Sequence, residues 1–218
     1  MKYIAIIGDI KESKNIVNRG QIQRQLHYAL QQINEKYEED IAAKFIITLG
    51  DEFQGLMKNT MHVLDMITYI QQVMYPVKIR FGIGFGEIST DIFCEAAIGA
   101  DGPAYYAARK SIEELREQEK KLKSQAADVQ LSLYETSKFE VEEINTFFTL
   151  IKVIEDSWSE KQRFTIWDVE QNGGSQKECA ERMNTTQSTI ARRLADGKYL
   201  TYVRAKQTID EALRRLGK

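Results

Sequence analysis

Two acidic residues occupy equivalent places in the sequence, each directly after a glycine at the end of an apolar run. Asp9 lies in the segment YIAIIGDI, and Asp51 follows the segment FIITLG. Two carboxylates that meet repel each other unless a proton or a cation lies between them, and Mg²⁺ usually takes one or two carboxylates alongside water and phosphate oxygens. The acids therefore predict a site for Mg²⁺ or Mn²⁺ with Asp9 and Asp51 as ligands. Gly-Asp is also a common turn pair, which is the alternative interpretation.

These acids can meet only if the strands that carry them are neighbours in one sheet. Apolar runs predict strands at residues 3–10, 45–49, 77–88 and 129–134, and the segment FQGLM predicts the return strand of a hairpin with Asp51 at its tip. Apolar residues at three- and four-residue spacing predict helices at residues 18–37, from Val63 to Val73, and in the charged stretch after Pro103. This order predicts an α+β fold, a sandwich with helices on one side of a mainly antiparallel sheet.

Several polar residues near the acids have two interpretations each. By strand alternation Glu52 points away from Asp51, and we expect it to be solvated. Arg80 lies inside a predicted strand, where it either pairs with an acid or a phosphate or lies on an exposed sheet face. Lys11 and Lys14 follow the first acid, and they either neutralise phosphates or are ordinary surface lysines. The sequence alone leaves these alternatives open.

The motifs IIGDI, LGDEF and RFGIGFGEI, followed by Ala-Ala-Arg at residues 107–109, occur in the order found in class III nucleotide cyclases. Residues 1–135 thus resemble a ferredoxin-like, palm-type catalytic domain. The longer segments IAIIGDI, KFIITLGDEFQGLM, YPVKIRFGIGFGEI and AIGADGPAYYAAR resemble the SatD family of bacterial proteins over most of the same region. The cyclase resemblance implies that Asp9 and Asp51 bind the metal and that Ile10 offers its backbone carbonyl.

The same resemblance implies a nucleotide site beside the metal. Its residues in this sequence are Lys11, Ser13, Tyr105 and Arg109. Two departures from the cyclases fall on their chemistry, since Tyr105 stands where the family has a transition-state Asn and Ile47 where it has a purine-selecting Lys. We therefore expect a degenerate cyclase-like domain that binds metal and a nucleoside triphosphate without catalysis.

The part of the chain after residue 136 has only helical patterns. A stripe of large apolar residues over residues 138–158 predicts a helix that docks on another surface or forms a dimer. Residues 160–218 resemble a helix-turn-helix DNA-binding domain with its motif at about 175–199, since Ala180 suits the helix crossing and Asn184 the turn. The residues that this resemblance leaves to contact DNA are Thr186, Gln187, Ser188, Thr189, Arg192 and Arg193.

Charge is unevenly distributed along the chain. The formal net charge is -2, yet residues 175–218 hold ten Lys and Arg against five Asp and Glu, which gives +5 there and -7 in the remainder. A basic segment beside an acidic body favours a polyanionic partner such as DNA, and a chance excess on a solvated surface is the alternative. With 2 histidines and 2 widely separated cysteines, the sequence indicates neither a histidine-based catalytic site nor a disulfide framework.

These observations predict two domains, residues 1–135 and 136–218. We interpret the chain as a DNA-binding transcription regulator with a degenerate nucleotide- and metal-binding domain. The alternative is a divergent metal-dependent nucleotidyl cyclase or nucleotidyltransferase that its helical domain regulates. A homodimer is expected because most helix-turn-helix proteins bind two half-sites. No apolar run is long enough to cross a membrane and no secretion signal is recognisable, so we expect a cytoplasmic protein.

Overall fold

The computed structural model describes residues 2–122, 126–134 and 138–217. Within them lie the strands β1 (Tyr3–Ile10), β2 (Ile41–Leu49), β3 (Glu52–Met57), β4 (Ile79–Gly86) and β5 (Val129–Leu133). The helices are α1 (Arg19–Lys36), α2 (Val63–Met74), α3 (Pro103–Leu122), α4 (Lys138–Asp156), α5 (Glu160–Asn172), α6 (Gln176–Arg182), α7 (Gln187–Asp196) and α8 (Tyr199–Leu216). The predicted α+β composition is confirmed. The predicted domain boundary at residues 135–136 lies outside the described residues.

The strands form one sheet in the order β2-β3-β1-β4-β5. β1 pairs antiparallel with β3 on one side and with β4 on the other, and β5 runs parallel to β4. The Ile-rich sequence of β1 is buried along nearly its whole length, as expected for a central strand. Near the end of this strand, Asp9 has Glu52 of β3 and Arg80 of β4 as its direct neighbours across the sheet.

Helices cover both faces of the sheet, which corrects the prediction that they lie on one side. Ile6 of β1 packs with α1 and α2, whereas Ile7 packs beneath α3 on the opposite face. Glycines of β4 allow α3 to pack closely on the sheet, because a Cβ at Gly84 would lie 2.1 Å from the backbone oxygen of Ala104. The same holds at Gly82, where a Cβ would lie 2.2 Å from another backbone oxygen of α3. The glycine-rich sequence of β4 therefore lets α3 pack directly on the sheet and bring its charged residues there.

Helices α4 and α8 belong to the same core as the sheet. Ile144 and Phe148 of α4 and Ile209 and Leu213 of α8 are buried in the cluster that also contains α1 and α2. The prediction of a docking helix at residues 138–158 is thereby confirmed, and the surface on which this helix docks is the chain's own sheet. None of the helices in the described residues, α4 included, is long and apolar enough to cross a membrane.

Helices α5, α6 and α7 form a separate core with the start of α8. Ser159 and Ser175 begin α5 and α6 with capping boxes. In each, the serine hydroxyl accepts the backbone N–H of the residue three positions on, whose side chain accepts the backbone N–H of the serine. Asn184 has φ of 47° in the turn between α6 and α7, and Thr186 caps α7 by accepting the N–H of Thr189. The buried residues of this core are Trp158, Ile166, Cys179, Ala180, Ile190, Leu194 and Tyr202.

Candidate functional site

The candidate site begins with a row of three charged residues across the sheet. Glu52, Asp9 and Arg80 are direct neighbours on β3, β1 and β4. Side chains directly opposite each other in an antiparallel sheet point to the same face, and this row shares the face of Ile7, which α3 covers. The site therefore lies between three strands and one helix.

Asp9 is buried at the centre of this row, with 4% of its surface exposed. Its Oδ2 accepts a hydrogen bond from Nη1 of Arg80 at 2.6 Å and lies 3.1 Å from Nη2 of Arg116 on α3. A buried carboxylate requires such partners, because charge-assisted bonds must offset its lost hydration. Two guanidinium groups thus neutralise the first acid that the sequence identifies.

The ion pairs continue from this row to helix α4. Nη2 of Arg80 lies 2.5 Å from Oε2 of Glu119, and Nζ of Lys11 lies 2.6 Å from the other oxygen of Glu119. Lys11 also lies 2.5 Å from Oδ1 of Asp128, whose second oxygen is 3.5 Å from Nζ of Lys152 on α4. Lys11 is therefore held between two carboxylates, and its side chain is only 14% exposed.

Burial and ion pairing act in opposite directions on the pKa values in this network. Burial lowers the pKa of the Arg80 guanidinium, but the bonds and charges of Glu119 and Asp9 outweigh it, so the pKa is raised. Burial likewise raises the pKa of the Glu119 carboxyl, and the partners Arg80 and Lys11 bring it below its ordinary value. Both groups are charged at neutral pH, so the contacts between them are ionic.

Asp51 has different partners from Asp9. Its Oδ2 accepts a hydrogen bond from the Ser13 hydroxyl at 2.5 Å, and its backbone carbonyl accepts the N–H of Ile10 at 3.0 Å. The structure thus brings Asp51, Ser13 and Ile10 together, while the Asp9 carboxylate lies beneath α3. Beside Asp51 is a cavity of about 280 Å³, lined by Ile10, Ser13, Lys14, Ile16, Arg19, Ile22, Gln23, Gly50 and Asp51.

A divalent cation does not fit the donor set that these residues present. Oδ2 of Asp9 already has two guanidinium partners, and a cation beside it would meet their positive charge. The Asp51 carboxylate is bonded to Ser13 on the cavity side. Within residues 2–122, 126–134 and 138–217 there is no group of three or more His, Cys, Asp or Glu that could hold a metal ion. We therefore assign no chemical step to a metal.

The other residues expected at a nucleotide site occupy two different environments. Tyr105 is 5% exposed and lies in the apolar cluster beneath α3, where burial raises the pKa of its hydroxyl. It does not line the cavity beside Asp51. Arg109 lies at the surface with Nη2 3.5 Å from Oε1 of Glu52. The expectation that Glu52 is solvated is wrong, because α3 covers that face and leaves its side chain 12% exposed.

The sequence gives little signal for the members of the site that α3 supplies. Arg109, Ile112, Arg116 and Glu119 follow the three- and four-residue spacing of one helix face. A mainly charged stripe of this kind ordinarily lies in solvent. Only the position of α3 on the glycine-rich strand shows that part of the stripe is buried against Asp9.

The residues expected to contact DNA lie on or beside α7. Gln187, Ser188 and Arg192 are exposed. Arg193 is half-buried, and its Nη1 donates a hydrogen bond to the Thr165 hydroxyl of α5 at 3.3 Å. The capping hydroxyls at the N-terminus of the helix contact one another as well as the backbone. The exposed residues of α7 are thus Gln187 and Ser188 in its first turn, Arg192 in its middle, and Ala195 and Asp196 at its end.

Comparison with known proteins gives a family and, separately, a weak likeness of fold. The model of the SatD family matches residues 3–213. The guanylate cyclase domain of RhGC from Catenaria anguillulae, solved by crystallography in complex with GTP, gives a TM-score of 0.37 and 13% sequence identity, over 50% of this chain and 70% of that chain. No curated protein matches the sequence.

Proposed function

This chain belongs to the SatD family, and we propose that it binds double-stranded DNA through helix α7. The observation that carries the proposal is the packing of α5, α6 and α7 around a shared core, which leaves Gln187, Ser188 and Arg192 of α7 exposed. In helix-turn-helix proteins such a helix enters the major groove with its N-terminal residues against the base edges. The turn at Asn184 and the small Ala180 allow the close crossing of α6 and α7 that this geometry requires.

The exposed side chains of α7 have the chemistry of DNA contacts. The amide of Gln187 offers the donor and acceptor pair that matches an adenine edge, and Arg192 suits a guanine edge or a phosphate. The N-terminus of the helix favours a phosphate oxygen because its backbone N–H groups carry partial positive charge. Asp196 is the one acid of α7, and it is the last residue of the helix. The one carboxylate of α7 that would repel phosphate therefore lies at the opposite end of the helix from Gln187.

The charge of the segment supports the same proposal. Some of its basic residues are paired, as Arg182 is with Asp168 and Lys206 with Glu170. Five exposed ones have no ion pair in the part of the chain that the structure describes, and they remain available to neutralise phosphates with release of counterions. These five are Lys177, Arg192, Lys198, Arg204 and Arg215.

The test is fluorescence anisotropy of a labelled duplex titrated with the full chain at several salt concentrations. We expect Arg192→Ala to weaken binding and to reduce the salt slope by about one. The matched control is Lys110→Ala, which removes one exposed positive charge from α3 and should leave binding unchanged. If Arg192→Ala binds as tightly as the wild type with the same slope, α7 is not the contact helix. We propose a homodimer for the bound form, since two half-sites one helical turn apart require two copies.

A second candidate function is binding of a nucleoside triphosphate in the cavity beside Asp51. The cavity favours it because Lys14 and Arg19 supply positive charge and Ser13 a hydroxyl, and its size is close to that of small-molecule sites. Nη2 of Arg19 donates to the backbone carbonyl of Ser13 at 3.0 Å, so Arg19→Ala removes a positive charge and a hydrogen bond to the segment that carries Ser13. A metal-independent rise in melting temperature with one nucleotide, lost in Arg19→Ala and kept in Arg24→Ala, would support it. No rise with any nucleotide would eliminate it.

A further inference from the structure

We infer that the guanidinium groups of Arg80 and Arg116 take the place of a divalent cation at the end of β1, so that this site is closed to Mg²⁺ and Mn²⁺. The inference concerns the α/β part of the chain and does not depend on DNA binding. It rests on three observations: the contacts of Arg80, the balance of charge around Asp9, and the burial of Asp9 and Arg80.

Arg80 bridges two carboxylates as a bound cation would. Its Nη1 donates to Asp9 at 2.6 Å, while its Nε and Nη2 donate to Oε2 of Glu119 at 2.9 and 2.5 Å. A planar guanidinium suits such bridging because its donors are fixed in a fork. The side chain of Arg80 is 13% exposed. Its position is therefore built into the sheet, since β4 holds Arg80 directly opposite Asp9.

The charges around Asp9 balance without any added ion. Three acids and three arginines pair there: Asp9 with Arg80 and Arg116, Glu119 with Arg80, and Glu52 with Arg109. Lys11, which contacts Glu119 and Asp128, and Asp128 itself add one charge of each sign. A divalent cation added to this set would leave two positive charges in excess beside a carboxylate that is 4% exposed. Burial of an uncompensated charge is strongly unfavourable. A cation can therefore bind only after a guanidinium has left.

Removal of the guanidinium groups is expected to open the site. In Arg80→Ala/Arg116→Ala, Asp9 loses both of its ion pairs and Glu119 keeps only the one with Lys11, while Glu52 keeps its contact with Arg109. The carboxylate oxygens of Asp9 are hard donors of the kind that bind Mn²⁺. The buried Asp9 carboxylate is then left without a positive partner, and this favours a bound cation. The proposal therefore predicts a gain of metal binding on mutation, which a merely structural role for the arginines does not predict.

The experiment is thermal unfolding of the full chain at rising MnCl₂ concentration, with Asp9→Asn included to isolate the part of any shift that depends on Asp9. We expect no Asp9-dependent shift for the wild type. For the double variant we expect a rise of about 5 °C at concentrations well above the dissociation constant, lost when Asp9→Asn is added. Titration of free Mn²⁺ by electron paramagnetic resonance gives a second readout that does not depend on melting.

The matched control is Arg182→Ala, which removes a guanidinium from the single carboxylate of Asp168 and is expected to gain no Mn²⁺ binding. Arg80→Gln keeps more of the side-chain volume and replaces the double variant if that protein does not fold. An Asp9-dependent Mn²⁺ shift in the wild type would overturn the inference, because the arginines would then not exclude the cation. A folded Arg80 variant that binds no Mn²⁺ would also overturn it. If neither variant folds, the test is the comparison of Mn²⁺-dependent melting between the wild type and Asp9→Asn.

Discussion

The contact between Asp9 and Arg80 gives a quantitative prediction for the stability of the fold. The perturbation is a double-mutant cycle of Asp9→Asn and Arg80→Gln. Breaking a buried ion pair from one side typically costs about 3–5 kcal/mol, because the remaining charge is left uncompensated. Here each partner keeps a second ion pair, Asp9 with Arg116 and Arg80 with Glu119. We therefore expect each single substitution to lower the free energy of unfolding by about 2–3 kcal/mol.

The two substitutions remove the same 2.6 Å contact, so their effects should not add. We expect a coupling energy of about 2 kcal/mol, near the upper part of the range for residues in contact. The assay is urea unfolding at pH 7 followed by far-ultraviolet circular dichroism. The control cycle is Lys110 with Glu114, an exposed pair 3.7 Å apart for which we expect at most about 0.5 kcal/mol. A coupling energy for Asp9 and Arg80 no larger than that of the control would refute the reasoning.

Three further predictions concern the packing and titration of other parts of the chain. Gly84→Ala should lower the free energy of unfolding by about 3 kcal/mol in urea unfolding, since its Cβ would meet backbone atoms at 2.1 Å. Gly20→Ala, at an exposed position of α1, should raise it by about 1 kcal/mol. Burial raises the pKa of Glu155 to about 7, so the native state binds more protons and loses stability as the pH rises from about 4.5 to 7. Glu155→Gln should therefore be more stable than the wild type at pH 8 by about 2 kcal/mol, after allowance for partial exposure, and not at pH 5. Trp158→Phe should cost about 1–3 kcal/mol in thermal unfolding, because the carbonyl of Gly197 loses its buried 2.7 Å hydrogen bond.

A strand can be predicted from the sequence where a local run of apolar residues is enough to identify it. The Ile-rich run at residues 3–10 predicts β1 with its observed bounds, because a central strand is apolar on both faces. The face on which α3 packs does not follow in the same way. The glycines of β4 indicate a close approach of some other group, but a missing side chain carries no information about what approaches.

The candidate site is harder to predict than the strands because its members are distant in sequence. Arg80 is 71 positions from Asp9, and Arg116 is 107 positions from it. Pairing over such distances depends on strand register and helix placement, for which a charged residue gives no local pattern. The Glu52 and Asp51 side chains do lie apart, as predicted, although Asp51 is in the turn before β3 and not in a strand. Strand alternation does not show that the face taken by Glu52 is covered, and Asp9 is consequently predicted to meet a metal where the fold supplies arginines.

The most direct test of DNA binding by this chain is its affinity for a random-sequence duplex at 50 mM and 200 mM salt. The unpaired basic residues between Lys177 and Arg215 predict measurable binding at the lower salt concentration and a loss of at least about tenfold at the higher one, since each neutralised phosphate releases counterions. Absence of binding at 50 mM salt with micromolar protein, or an affinity that does not change with salt, would contradict the proposed function.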